Sequence, residues 1–388
     1  MSTSPADTVP VPAASGVAAQ ALTAGAATID RIRSVKLASI TLPLATPISD
    51  AKVFTGRQKP MTEVALLFAE VRTEDDHEGI GFSYSKRAGG PGQFAHAQEI
   101  APALIGEDPS DIGKIWTKLV WAGASVGRSG LSTQSIAAFD VALWDLKAKR
   151  ASLPLAKLLG AYRDSVRTYN TSGGFLHAPI DQVMENSTHA LSSGIGGIKI
   201  KVGQPDWKTD IARLERVREH LGDDVPLMVD ANQQWDRATA QRMGRLLERF
   251  NLVWIEEPLD AYDADGHAQL TRSLDTPIAT GEMLASVAEH VRLIDPQATD
   301  IIQPDAPAHR RHHSVPQTRR AGRGQAPGTG TALRDGNSRP SGCRLPDRAV
   351  GGALRLARPA VQRAPGNQGR PDARVRPARA GIHPQRPS

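Results

Sequence analysis

Three acidic residues and two lysines stand out for their spacing. Asp230, Glu256 and Glu282 each close a short apolar run, at intervals of 26 and 26 residues. Two similar runs frame them, Gly197-Ile-Lys199-Ile-Lys201 upstream and Asp300-Ile-Ile-Gln-Pro-Asp305 downstream, the latter ending 23 residues past Glu282. Three carboxylates that each lend one oxygen suit a hard divalent cation such as Mg2+, with water and substrate oxygens completing six-fold coordination. Lysines at i and i+2 of a strand face the same way. Close like charges lower each other's pKa, and an amine so depressed serves as a base near neutrality. The chemistry implied is proton transfer beside a cation.

Something must bring these groups together. The segments between the runs have helical periodicity, with outer helices expected over 207–221, 237–250 and 266–273 and with Asp206 and Asp236 as helix starts. Repeated strand–helix units of this length predict a parallel sheet, most simply a closed β/α barrel, whose strand C-termini meet around one mouth. The first barrel strand is expected over 166–170. Ahead of it, alternating apolar residues predict strands over 34–42, 61–73 and 78–84 in an antiparallel meander. A polar loop holding Asp50, Lys52 and Arg57 joins the first two, and a flexible loop from Ser85 to Pro91 follows the third. Helices are expected over 93–104, 111–121 and 133–149.

Composition narrows the class. The 388 residues are 40% hydrophobic, as in a globular protein, and no stretch approaches the run of about 20 apolar residues that spans a bilayer. The Ala/Pro/Ser/Thr-rich start has no Lys or Arg, which predicts a disordered leader rather than a signal peptide. A single cysteine, Cys343, excludes an intramolecular disulfide framework and fits a cytoplasmic location. The net charge of +6 divides unevenly: from Ala308 onward 17 Arg against 3 Asp give +14, leaving −8 on the rest. The body is therefore acidic, and nucleic acid is not an expected partner.

The set Lys199-x-Lys201, Asp230-x-Asn232, Glu256-Glu257-Pro258, Gly281-Glu282 and Gln303-Pro304-Asp305 resembles the enolase superfamily, mandelate racemase subgroup. The segments 47–52, 55–60, 82–90 and 228–236 are similar to the L-talarate/galactarate dehydratases in particular. The resemblance implies a (β/α)7β TIM-like barrel with an N-terminal α+β capping domain. It divides the chain into a leader (1–29), capping domain (30–155), barrel with its first six strands (156–307) and an Arg/Pro/Gly-rich tail (308–388), expected to be disordered. It implies a hydro-lyase that dehydrates a hexarate by α-proton abstraction and β-elimination to a 2-keto-3-deoxy acid. It further implies Mg2+ on Asp230, Glu256 and Glu282, Lys201 as the base, and Lys199 polarising the substrate carboxylate. Asp50, Ala51, Lys52, Lys86, Arg87 and Asn232 would join Lys199 in contacting the hexarate, and Asp305 would orient a catalytic histidine. A homo-oligomer is implied as well. An acid-sugar racemase or epimerase is the sister alternative on this scaffold. The alternatives from another class are an inactive truncated relative and nucleic-acid binding through the Arg-rich tail.

The family pattern stops at Pro307, before the histidine expected after the seventh strand. Read one nucleotide later, codons for Ala308–Gln317 permit Arg-Ile-Gly-Gly-Ile-Thr-Pro-Phe-Leu-Lys, and codons for Thr331–Gly336 permit Pro-His-Phe-Ala-Met-Glu. The expectation is a frame shift near codon 307 or 308, with the missing histidine where Ala332 stands. A chain without it lacks the second acid/base and, with two barrel strands missing, has two unpaired edges and an open core, so this exact chain is expected to be unstable or inactive.

Overall fold

The computed structural model describes residues 29–305 and the three residues 380–382. Its first unit is the antiparallel meander β1 (Ile32–Ile48), β2 (Met61–Thr73) and β3 (Glu78–Lys86). β2 has its expected bounds, whereas β1 and β3 run further. The early residues of β2 need ladder partners, and Ile48 pairs with Met61 while Lys86 pairs with Val64. The expected flexible loop after β3 therefore shrinks to residues 87–89. The polar loop between β1 and β2 instead holds α1 (Ala51–Phe54), one helical turn whose N-cap Asp50 accepts a 3.0 Å bond from the Lys52 amide.

Helices α2 (Gly90–Ile100), α3 (Ile112–Ala122) and α4 (Leu131–Arg150) bury the meander's alternating face, and α5 (Leu155–Leu158) follows. Val35, Leu37, Leu67, Ala69 and Val71 share one buried core with Ile100, Leu119, Phe139 and Leu143 from the helices. α4 lies almost on β3. A Cβ on Gly81 would fall 2.1 Å from the Ala138 carbonyl, so only glycine permits this approach.

The second unit begins with α6 (Ile180–Ser192) and continues in strict alternation: β4 (Ile198–Lys201), α7 (Trp207–Leu221), β5 (Leu227–Asp230), α8 (Arg237–Leu247), β6 (Ile255–Glu256), α9 (Ala264–Ser273), β7 (Ile278–Thr280), α10 (Val287–Ile294) and β8 (Ile301–Ile302). The five strands pair in parallel in chain order, the pattern of a β/α barrel wall. The strand expected over 166–170 is reduced to a bridge from Asn170 to Ile198. Asp206, Asp236, Asp263 and Ser286 cap α7 to α10 with side-chain bonds to the first-turn amides. Ile200, Val229, Ile255 and Ile278 pack outward among Leu214, Val217, Met243, Leu247 and Leu270. The alternate strand positions, among them Lys199 and Asp230, are thereby turned to the inside.

The units meet at the barrel mouth. Gly203, at φ 105° after β4, sits against the α1 turn, and a Cβ there would lie 3.0 Å from that of buried Ala51. Arg57 Nη1 donates to the Gln233 carbonyl at 3.4 Å. The Gly203 and Gln204 amides both donate to Asp210 Oδ2, at 2.7 and 2.9 Å, which fixes the loop leaving β4. A last strand, β9 (Ala380–Ile382), pairs antiparallel with Val35–Leu37 on the outer edge of β1. The rest of the tail, and nearly all of the leader, lie outside the described residues, as do Ala332 and the region of the expected frame shift. No helix among the described residues is long and apolar enough to cross a membrane.

Candidate metal and proton-transfer site

Parallel register brings the spaced residues side by side. Lys201 stands opposite Asp230, and Asp230 opposite Glu256. Glu282 lies two residues beyond the end of β7. Oxygens of Asp230, Glu256 and Glu282 lie within 4.8 Å of one another. Two oxygens on one Mg2+, at about 2.1 Å each, can be no more than about 4.2 Å apart. The cluster thus needs only slight closure to share a cation. Buried oxygens without a partner among the described residues stand in neighbouring sequence positions or on the next strand: Asn232 Oδ1, Thr280 Oγ1 and Gln303 Oε1. An all-oxygen donor set with spare acceptors for water or hydroxyl groups suits a hard divalent ion.

The lysines enter the same cluster. Lys199 Nζ is bonded to Glu256 and lies 3.5 Å from Asp230 Oδ2, while Lys201 Nζ is bonded to Asp230. Burial works against a charge on Lys199, yet Glu256 and Asp230 overcome it and hold the ammonium above its ordinary pKa. For Lys199 this corrects the expectation of a depressed pKa: carboxylates in direct contact outweigh the like charge. Burial also pushes the Asp230 carboxyl up, but Lys201 and Lys199 prevail and keep it low. Glu256 goes the other way, its burial exceeding what Lys199 returns. For Glu282 burial pushes the carboxyl up, but Lys86, Lys199 and Lys201 together outweigh it, and the carboxyl stays below its ordinary value.

Some of the groups supporting this cluster, Trp254 and Tyr169 among them, were not singled out from sequence. Glu256 Oε2 accepts from Trp254 Nε1 at 3.0 Å and from Gln303 Nε2 at 2.9 Å. Trp254 is two residues before Glu256 and so on the same strand face, a period-two signal that could have found it. Tyr169 places its ring 5.7 Å from Lys199 Nζ and packs edge-on against Trp254. Glu257 is fully buried, and Gln233 Nε2 donates to both its oxygens at 3.1 Å. Asn232, Gln233 and Glu257 all have left-handed φ values, 47°, 62° and 41°, a concentration of backbone strain beside the carboxylates.

The remaining candidates surround the mouth. Asp50 is engaged by the α1 cap and by Arg87 Nη2 at 3.0 Å, so these two oppositely charged groups face each other. Ala51 is buried against Gly203. Lys52 is close enough to Glu257, and Lys86 to Glu282, to favour their charged forms. Lys86 Nζ also lies 5.4 Å from the Tyr84 ring centre. Asn232 donates its amide to Asp230 Oδ1 at 2.8 Å. Asp305 accepts a bond from the Tyr84 hydroxyl, which reaches it from the capping meander.

Comparison with known proteins agrees with this geometry. Residues 43–160 match the mandelate racemase / muconate lactonizing enzyme N-terminal domain, and residues 182–309 match the enolase C-terminal domain-like family. The L-talarate/galactarate dehydratase of Salmonella typhimurium is 69% identical over 282 residues, 73% of this chain and 71% of that protein. A 3,6-anhydro-alpha-L-galactonate cycloisomerase of Streptomyces coelicolor is 35% identical over 71% of this chain and 74% of its own length. Among solved structures, the Salmonella dehydratase liganded with Mg and L-lyxarohydroxamate superposes with a TM-score of 0.72 at 65% identity, over 78% of this chain and 76% of that one. The L-talarate dehydratase of a Polaromonas species, complexed with Mg and L-glucarate, gives 0.70 at 74% identity, over 72% and 75%.

Proposed function

The chain belongs to the mandelate racemase / muconate lactonizing enzyme branch of the enolase superfamily, and we propose from that premise that its mouth site dehydrates a hexarate, galactarate or L-talarate, in a Mg2+-dependent reaction. The observation that carries this reading is the meeting of Asp230, Glu256 and Glu282 within 4.8 Å, with Lys199 and Lys201 bonded into the same cluster.

A proton α to a carboxylate is very weakly acidic, so its removal needs both a base and positive charge where the electrons collect. Mg2+ held by Asp230, Glu256 and Glu282 supplies positive charge there. Lys201 takes the α-proton onto Nζ. Lys199, held firmly as the ammonium, donates to the substrate carboxylate and stabilises the enediolate that forms. Its raised pKa suits this part: it is a charge stabiliser and a poor base. Re-forming the Cα–Cβ electron pair as a double bond expels the β-hydroxyl, which must gain a proton to leave as water. The enol so formed tautomerises to the 2-keto-3-deoxy acid.

Asp50, Lys52, Lys86, Arg87 and Asn232 belong to the hexarate's surroundings in this reading, and Ala51 seats the turn that carries them. Cationic groups at the cap suit a substrate with a carboxylate at each end. Asp305 fills the position of the aspartate that, in the family pattern, orients the histidine acid missing from this chain. Sequence composition, with its lone cysteine and acidic body, supports a cytoplasmic enzyme without a nucleic-acid partner. The family resemblance supports a homo-oligomer.

The test is a screen of hexarates for 2-keto product, run with Mg2+ and with EDTA. Product from galactarate or L-talarate that EDTA abolishes is the expected outcome for a version with the reading frame restored at codon 308, run in parallel, with less from the present chain. Epimerised substrate without water loss would instead assign the sister reaction.

A further inference from the structure

The buried groups around Glu256 carry an inference that rests on the Mg2+ reading and deepens it. Glu256 is the only one of the three acids flanked on both sides, by Asp230 on one strand and Glu282 beyond the next. It therefore has the most to lose from rotating. Its two oxygens are in unlike surroundings. Oε2 accepts two N–H bonds, from Trp254 at 3.0 Å and from Gln303 at 2.9 Å. Oε1 is bonded by Lys199, whose Nζ lies 3.5 Å from Asp230. Trp254 and Glu256 are both nearly inaccessible, so water cannot replace either donor readily.

We propose that Trp254 and Gln303 are positioning residues for the cation: by saturating one oxygen of Glu256 they fix the carboxylate's rotation and leave its other oxygen on the side of Asp230 and Lys199. Neither residue is a ligand; each acts through Glu256. Gln303 directly follows β8 and Trp254 directly precedes β6, so the clamp also ties the end of the last described barrel strand to the affinity of the site. Gln303 has a second function in this arrangement. With its N–H engaged, its buried Oε1 is left as an acceptor without a partner among the described residues, available to a water or hydroxyl hydrogen.

Groups that orient ligands in this way change metal affinity by about 10–100-fold when removed. The experiment is calorimetric titration of Mg2+ into the full chain and into Trp254→Phe, Gln303→Leu and the control Glu282→Gln. Electron paramagnetic resonance of bound Mn2+ reads the ligand geometry, and a thermal melt without metal reads folding. The expected result is Mg2+ binding by the parent that Glu282→Gln abolishes. Each clamp variant should then bind about 10–100-fold more weakly, with an altered Mn2+ spectrum. Loss of folding stability alone would move the melt and leave that spectrum unchanged. Should one variant fail to fold, the other still decides. Folded variants whose Mg2+ affinity stays within twofold of the parent overturn the clamp and leave the metal site standing. A parent with no binding sensitive to Glu282→Gln overturns both.

Discussion

Lys201 and Asp230 are register partners on adjacent parallel strands, and the ammonium of one is bonded to the carboxylate of the other. In the proposed reaction the base and one of the cation's ligands are thus held in contact. Replacing the base should leave the metal site in place while stopping proton removal. Lys201→Ala is expected to lose about 10²–10⁴-fold in α-proton exchange, followed by NMR in D2O, and to keep measurable Mg2+ binding. Exchange by the variant at the parent's rate would remove Lys201 from its assigned part.

Glu282 contributes a carboxylate from outside its strand, and its charged form is favoured by Lys86. Lys86→Met should therefore weaken Mg2+ binding less than Glu282→Gln does, and should raise the KM for a hexarate. Calorimetry and steady-state kinetics separate the two effects. Equal loss of Mg2+ affinity in both variants would place Lys86 in the cation site instead of over the substrate.

Asp210 gives a pH prediction away from the chemistry. Burial pushes its carboxyl up to about 6 from 3.8, against the two amides and Arg213 that favour the charge. The native state then holds more protons than the unfolded chain between about pH 4 and pH 6, so stability falls as pH rises through that window. The shift corresponds to about 3 kcal/mol. Asp210→Asn keeps an acceptor for the Gly203 and Gln204 amides and cannot ionise. Its melting temperature relative to the parent should climb from pH 4 to pH 7, and a constant difference would rule the titration out.

Gly81 has no room for a side chain under α4. Gly81→Ala must move the helix from the sheet, at a cost of about 1–3 kcal/mol or more. Urea unfolding of the variant measures it, and an unchanged midpoint would show that the contact is looser than drawn.

Coding DNA settles the tail. Resequencing is expected to reveal a shifted frame near codon 308. A chain with the neighbouring frame restored should gain dehydration relative to the present chain, because it regains a histidine at position 332. Equal product from both would mean that the present chain already has its second acid/base.

Most elements were legible because their cause is local. Met61–Thr73 and Trp207–Leu221 have the bounds that alternation and the Asp206 cap imply. The convergence of Asp230, Glu256 and Glu282 followed from spacing, since one strand–helix unit returns the chain to the same rim. Less was legible where partners decide. Lys86 is strand rather than loop because β2 supplies Val64. The high pKa of Lys199 depends on two carboxylates 31 and 57 positions away. Gln303 and Trp254 meet at a single oxygen of Glu256, which no periodicity within either segment could indicate.

The seat of Ala51 on Gly203 limits how this architecture can be re-engineered. A chimera that grafts the cap of one relative onto the wall of another will close only if both positions remain small, whatever else the donor brings. Substrate range should accordingly travel with matched halves rather than with transplanted loops.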